Sequence, residues 1–205
     1  MTYNSFYNQW HHLACFSTAQ VRAIYPDFPR GNYLRWQKAG YIVPLRQGWY
    51  AFADYMNKPD YARYFASKIY TPSYISLHTA LSFYGIIPEA VVAITSITTR
   101  KTAQFENIFA SYSYQTIKPS LFWGYEPKQI SDGKMFMLAT PEKALIDLLY
   151  LYPQYSTEEE MRELRLDEDF MQNELDKEQL LEYTNRVGSP ILTKRVKIML
   201  KTYEL

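Results

Sequence analysis

The stretch Gln37 to Phe52, QKAGYIVPLRQGWYAF, constrains the local fold more than any other. Gly40 follows a run with helical spacing and can take the left-handed backbone that commonly ends a helix. The apolar pieces 41–45 and 49–52 are joined through Arg46-Gln47-Gly48, which reads as a short hairpin with a basic tip. Upstream, residues 4–13 carry Phe6, Trp10 and Leu13 close to one helical stripe. Ser17 is a suitable N-cap for a second helix over residues 18–24. In Asp27-Phe28-Pro29 the proline suits the first position of a third helix, running through Ala39. Three helices followed by a hairpin are the parts of a winged helix-turn-helix, expected over residues 1–55.

From residue 56 the texture changes. Residues 53–59 read as a linker. Residues 60–70 and 74–84 then read as helices, stopped by Thr71-Pro72 and Gly85. Residues 91–99, 110–117, 121–125 and 134–138 are rich in β-branched and aromatic side chains, with an Asp132-Gly133 turn before the last. They predict a mainly antiparallel sheet. Pro141 opens an apolar helix to about Tyr152, and the remainder is helical, broken at Val187-Gly188-Ser189-Pro190. The expected fold is α+β: a winged helix-turn-helix, then a mixed α+β domain over residues 56–205 with a helical C-terminus.

The 205 residues are 47% apolar, enough to bury a core, so disorder is not expected. No apolar run approaches the ~18 residues of a transmembrane helix. The first residues, MTYNSFYNQWHH, lack the pattern of a secretory signal. A single cysteine, Cys15, allows no intramolecular disulfide and fits a reducing compartment. The expectation is a cytoplasmic protein without membrane contact. A net charge of +1 by itself argues against a nucleic-acid partner, but its distribution does not. Residues 1–55 hold five Lys and Arg against two Asp and Glu, whereas residues 156–205 hold eight against twelve. A basic patch at the head of a neutral chain can still supply the phosphate contacts that dominate DNA affinity.

On the third helix, Gly31, Asn32, Arg35 and Lys38 share one face by helical spacing, with Leu34 and Trp36 or Tyr33 expected to point toward a core. Arg35 suits a bidentate contact to guanine and Asn32 a contact to adenine. Arg30 and Lys38 suit phosphate, while Arg46, with Gln47, stands at the hairpin tip where a wing reaches the backbone or minor groove. Arg100 and Lys101, in TTRKT, read either as a second nucleic-acid contact or as a polar turn. His11, His12 and His78 lack the companions of a zinc site, so no metal is expected. Glu142, Lys143 and Asp147 read as helix capping and tertiary hydrogen bonds rather than as acid–base machinery. There is no Gly-rich phosphate loop or nucleophile elbow, and neither a catalytic residue nor a cofactor is expected.

The ordered set STAQVRAIYPDFPRGNYLRWQKAGYIVPLRQGWYAF, SLHTALSFYG, TTRKT and ATPEKALIDLL resembles the AbiEi family of antitoxins and transcriptional regulators of bacterial viral defence. The resemblance covers about residues 15–152; the C-terminal part matches loosely and the chain is shorter than full-length members. It implies a non-enzymatic autorepressor whose winged helix binds double-stranded DNA, its own operator, at inverted repeats upstream of its operon; a homodimer on DNA would match two wings to such a palindrome. It further implies that the second domain counters a nucleotidyltransferase-like toxin in a type IV system, direct contact not being required. Two other classes stay open: a protein-interaction module that binds no DNA, and a metal-dependent phosphodiester hydrolase.

Overall fold

Helix α1 (Tyr3–Trp10) starts at Thr2, whose hydroxyl accepts a bond from Ser5 N, and it turns Phe6 and Trp10 inward. The computed structural model describes residues 1–58, 60–89, 91 and 93–205. A 3-10 turn (His11–Leu13) leads to strand β1 (Cys15–Ser17), which the sequence pattern did not reveal. Ser17 both ends β1 and caps α2 (Thr18–Ile24), exchanging bonds with Gln20 in a capping box. Pro29 lies just outside α3 (Gly31–Lys38), its carbonyl accepting from Asn32 N, instead of filling the first helical position. At the other end Gly40 has φ +73°. Gly40 N donates to Gln37 O and Tyr41 N to Trp36 O, the crossed pair that satisfies a helix's last carbonyls.

Strands β2 (Ile42–Arg46) and β3 (Trp49–Phe52) form the expected hairpin, and β3 also pairs with β1, giving an antiparallel sheet in the order β1-β3-β2. Phe6 sits at the centre of this unit, its ring 4.9 Å from those of both Phe16 and Trp36. Aromatic packing of this kind is what a short unit with few aliphatic side chains can use to close its core.

The rest of the chain runs α4 (Tyr61–Ile69), β4 (Ser73–Ile75), α5 (Leu77–Phe83), β5 (Ala93–Thr98), β6 (Ala103–Glu106) and β7 (Ser111–Thr116). Then follow β8 (Tyr125–Gln129), β9 (Met135–Ala139), α6 (Pro141–Leu151), α7 (Glu158–Glu163), α8 (Lys177–Val187) and α9 (Pro190–Thr202). The six strands form one sheet, β6-β7-β5-β4-β9-β8. This sheet is mixed, where a mainly antiparallel one was expected: β4–β5, β6–β7 and β8–β9 are antiparallel, but β5–β7 and β4–β9 are parallel. The unforeseen β6 is the reason at one edge. It takes the antiparallel place outside β7, so β7 returns alongside β5 in the same direction. The helix expected over residues 74–84 divides, with Tyr74 and Ile75 in β4 and the helix starting at Leu77. The strand expected over residues 121–125 begins only at Tyr125, after a 3-10 turn at Pro119–Leu121.

Directly paired residues share a face of a sheet. Tyr114 lies on the α4 face, since its hydroxyl donates to Ala66 O. Ser96 is paired with Tyr114 and Ile75 with Ser96, so they share that face, and Tyr74 must point to the other. It does, donating to Asp147 of α6. The sheet is therefore packed between α4 and α6. Arg195 of α9 donates to Leu149 O and Pro153 O, fastening the last helix across the end of α6. One continuous buried cluster runs from Phe6 to Tyr203. A hydrogen bond from Tyr64 to Leu13 O (3.1 Å) joins its first part to the rest, while Tyr55, the last residue of the first part, donates to His11 O at 3.0 Å.

Candidate nucleic-acid interface

Helix α3 divides into two faces, but not in the phase its sequence suggested. Tyr33 and Trp36 are buried; Tyr33 stacks on Tyr50 of β3 at 5.4 Å, fixing the helix to the hairpin, and burial pushes its phenol up to about 12. Asn32 is buried too, at 6% exposure, whereas Leu34 is 63% exposed. The two exchange their expected places because Asn32 is one helical repeat from Trp36 and Leu34 is half a turn away. Arg30, Gly31, Leu34, Arg35 and Lys38 make up the outward face. Asn32 is therefore turned away from the exposed face on which its spacing had placed it. Its Oδ1 accepts from Arg35 Nη2 at 2.8 Å and its Nδ2 donates to Met1 O at 3.5 Å, so it steadies Arg35. Among the described residues, Arg30, Arg35 and Lys38 have no carboxylate partner.

Arg46 also departs from expectation. A register shift between Pro44 and Arg46 inserts an extra residue in β2, burying Leu45 and re-aiming the next side chain. The Arg46 guanidinium does not stand at the tip. It donates from Nη1 to Ile69 O at 2.8 Å and lies 4.4 Å from the Phe105 ring centre and 5.3 Å from that of Tyr70. The tip itself is Gln47, exposed, and Gly48, whose φ is +76°. Gly48 O accepts from Thr18 N, and a Cβ on Gly48 would meet Thr18 Oγ1 at 3.2 Å, so the tip presses on the start of α2.

Arg100 and Lys101 are exposed on the β5–β6 turn. The turn is held by Thr98, which accepts from Arg100 N, and by Thr116, which donates to Arg100 O. Arg100 Nη1 reaches Thr71 O at 3.3 Å, and its guanidinium lies 4.3 Å from the Tyr70 ring. Tyr70 in turn donates to Lys101 O at 2.8 Å. The ring of Tyr70 thus brings Arg46 and Arg100, distant in sequence, to one place. No pattern in the sequence announces that meeting, because it depends on α4 and β6 packing against the hairpin.

Elsewhere, Lys143 and Asp147 form a fully buried pair on α6, and the hydroxyls of Tyr74 and Ser76 donate to Asp147 Oδ2 at 2.9 and 2.8 Å. Burial raises the Asp147 carboxyl above its ordinary range against the opposing pull of Lys143, and burial likewise lowers Lys143. The Lys143 ammonium lies 4.8 Å from the Trp123 ring centre, and Glu142 accepts from Asp176 N. These are the tertiary hydrogen bonds their sequence position suggested. Tyr74 and Ser76 were missed as partners because their two-residue spacing carries meaning only once β4 is recognised as a strand.

No family model matches the chain, and neither does any curated protein. No helix among the described residues is long and apolar enough to cross a membrane.

Proposed function

We propose that the chain is a non-enzymatic DNA-binding regulator: residues 1–55 form a winged helix-turn-helix, α3 is its reading helix, and β2–β3 is its wing. The observation that carries this reading is the outward face of α3, where Arg35 and Lys38 stand without acidic partners and Arg30 flanks the helix start. A helix offering donors on one face and aromatic packing on the other has what entry into a major groove requires. The chain order helix, strand, two helices, hairpin, with β3 central, supports the same reading. In it, Arg35 reads a base edge, Arg30 and Lys38 hold phosphates, Gln47 is the wing contact, and Arg100 and Lys101 extend the path of the backbone. The resemblance to the AbiEi family adds a cytoplasmic antitoxin role. The protein would repress its own operon and counter a nucleotidyltransferase-like toxin through the α+β part.

Fluorescence anisotropy on the upstream DNA and on a scrambled duplex, across a salt series, tests the reading. The upstream DNA should bind more tightly, and Arg35→Ala should cost about 1–3 kcal/mol selectively on it. Equal, weak binding of both duplexes would reject DNA recognition and leave a protein-interaction module.

A further inference from the structure

The contact between the hairpin and the six-stranded sheet is more specific than packing requires. Asn107, just beyond β6, donates from Nδ2 to Leu45 O at 2.9 Å. Its Oδ1 accepts from Phe109 N at 2.8 Å, which fixes the carboxamide's direction. One residue along β2, Arg46 is held by the Ile69 carbonyl and the Phe105 and Tyr70 rings, and no carboxylate touches it among the described residues. Its Nε is buried without a partner. A planar guanidinium can stack and donate in this way; an ammonium cannot reproduce both contacts. The bulge that aims Arg46 inward takes it away from the place where a wing arginine would meet phosphate.

We infer that Arg46 is a positioning residue, a latch that fixes the wing to the edge of the sheet and so sets Gln47 and α3 at a constant offset from Arg100 and Lys101. The inference rests on the DNA-binding reading above. A wing rigidly joined to the second part lets both surfaces meet one duplex in a single geometry. An unlatched wing would have to be ordered again at each encounter, with the entropy cost that entails.

The test uses the full chain with Arg46→Met and Asn107→Ser. The serine keeps an acceptor for the local turn but is too short to reach Leu45 O. Hydrogen exchange of residues 42–52 is followed alongside the anisotropy salt series. In both variants the hairpin amides should exchange roughly tenfold faster while those of α6 keep their protection. The preference for upstream over scrambled DNA should fall by roughly tenfold. The slope of log affinity against log salt should stay as in the wild type, because no phosphate contact is lost.

A slope reduced by about 0.9 in Arg46→Met, with Asn107→Ser binding as the wild type does, would make Arg46 a phosphate contact and overturn the latch. Unchanged hairpin exchange in both variants would overturn it as well. If the wild type does not distinguish the two duplexes, the DNA-binding reading fails by itself, and the exchange data still decide whether the latch exists.

Discussion

Asn32 and Arg35 act as a pair in which the buried member orients the exposed one. If Arg35 reads a base edge, its guanidinium plane must be set before contact, and the 2.8 Å bond from Asn32 sets it. Asn32→Ala should then weaken binding to the upstream duplex less than Arg35→Ala does. The double variant should bind no worse than Arg35→Ala alone, a non-additivity that anisotropy can read directly. Lys143 and Asp147 follow the same logic at a buried site. Asp147→Ala leaves Lys143 charged or newly neutral among Tyr74 and Trp123, so urea unfolding should show a loss of about 3–5 kcal/mol. Replacing both with Met and Leu should cost much less, since no orphaned charge remains.

Element boundaries offer a cleaner comparison, because two glycines in the same left-handed conformation, Gly40 after α3 and Gly124 just before β8, differ in surroundings. Gly40 and Gly124 have φ of +73° and +74°. A Cβ on Gly40 meets nothing within 4 Å, whereas one on Gly124 would lie 2.9 Å from Lys143 Cγ. Gly40→Ala should therefore cost about 1–2 kcal/mol, the conformational part alone. Gly124→Ala should cost measurably more by the same urea titration, because a buried side chain must also move. The contrast explains what could be read in advance. Gly40, Ser17 and Pro141 act through local backbone chemistry, so α2, the end of α3 and the start of α6 were legible from sequence. β1 and β4 are three-residue strands buried throughout, without the alternation that marks a strand. The parallel pairings join segments far apart in the chain, and no local signal encodes them. On α3 the period was right but the phase was set by Trp36 and Asn32. The inward turn of Arg46 depends on an extra residue in β2 and on the distant Phe105.

A core so rich in tyrosine gives the molecule a common response to alkali. Burial is the first cause raising Tyr3 and Tyr33 from 10.0 to about 12 and the Cys15 thiol from 9.0 to about 12. Tyr61, Tyr64, Tyr74, Tyr112 and Tyr114 are raised by burial in the same direction. These groups keep their protons in the folded protein at a pH where the unfolded chain has released them. Their contribution is complete below the unfolded values and is lost as pH rises through the folded ones. Thermal unfolding midpoints should accordingly fall steeply between pH 9 and 12. The share of phenolate absorbance that belongs to these buried rings should rise together with the loss of circular dichroism rather than ahead of it, because they ionise only when the sheet opens. Since α1, β7 and α4 all place tyrosines in one continuous cluster, the β2–β3 hairpin, α3 and the six-stranded sheet should be lost in a single transition. A separate, earlier transition of the first fifty-five residues would mean that the latch and the Tyr64 hydrogen bond to Leu13 O do not hold the two parts together.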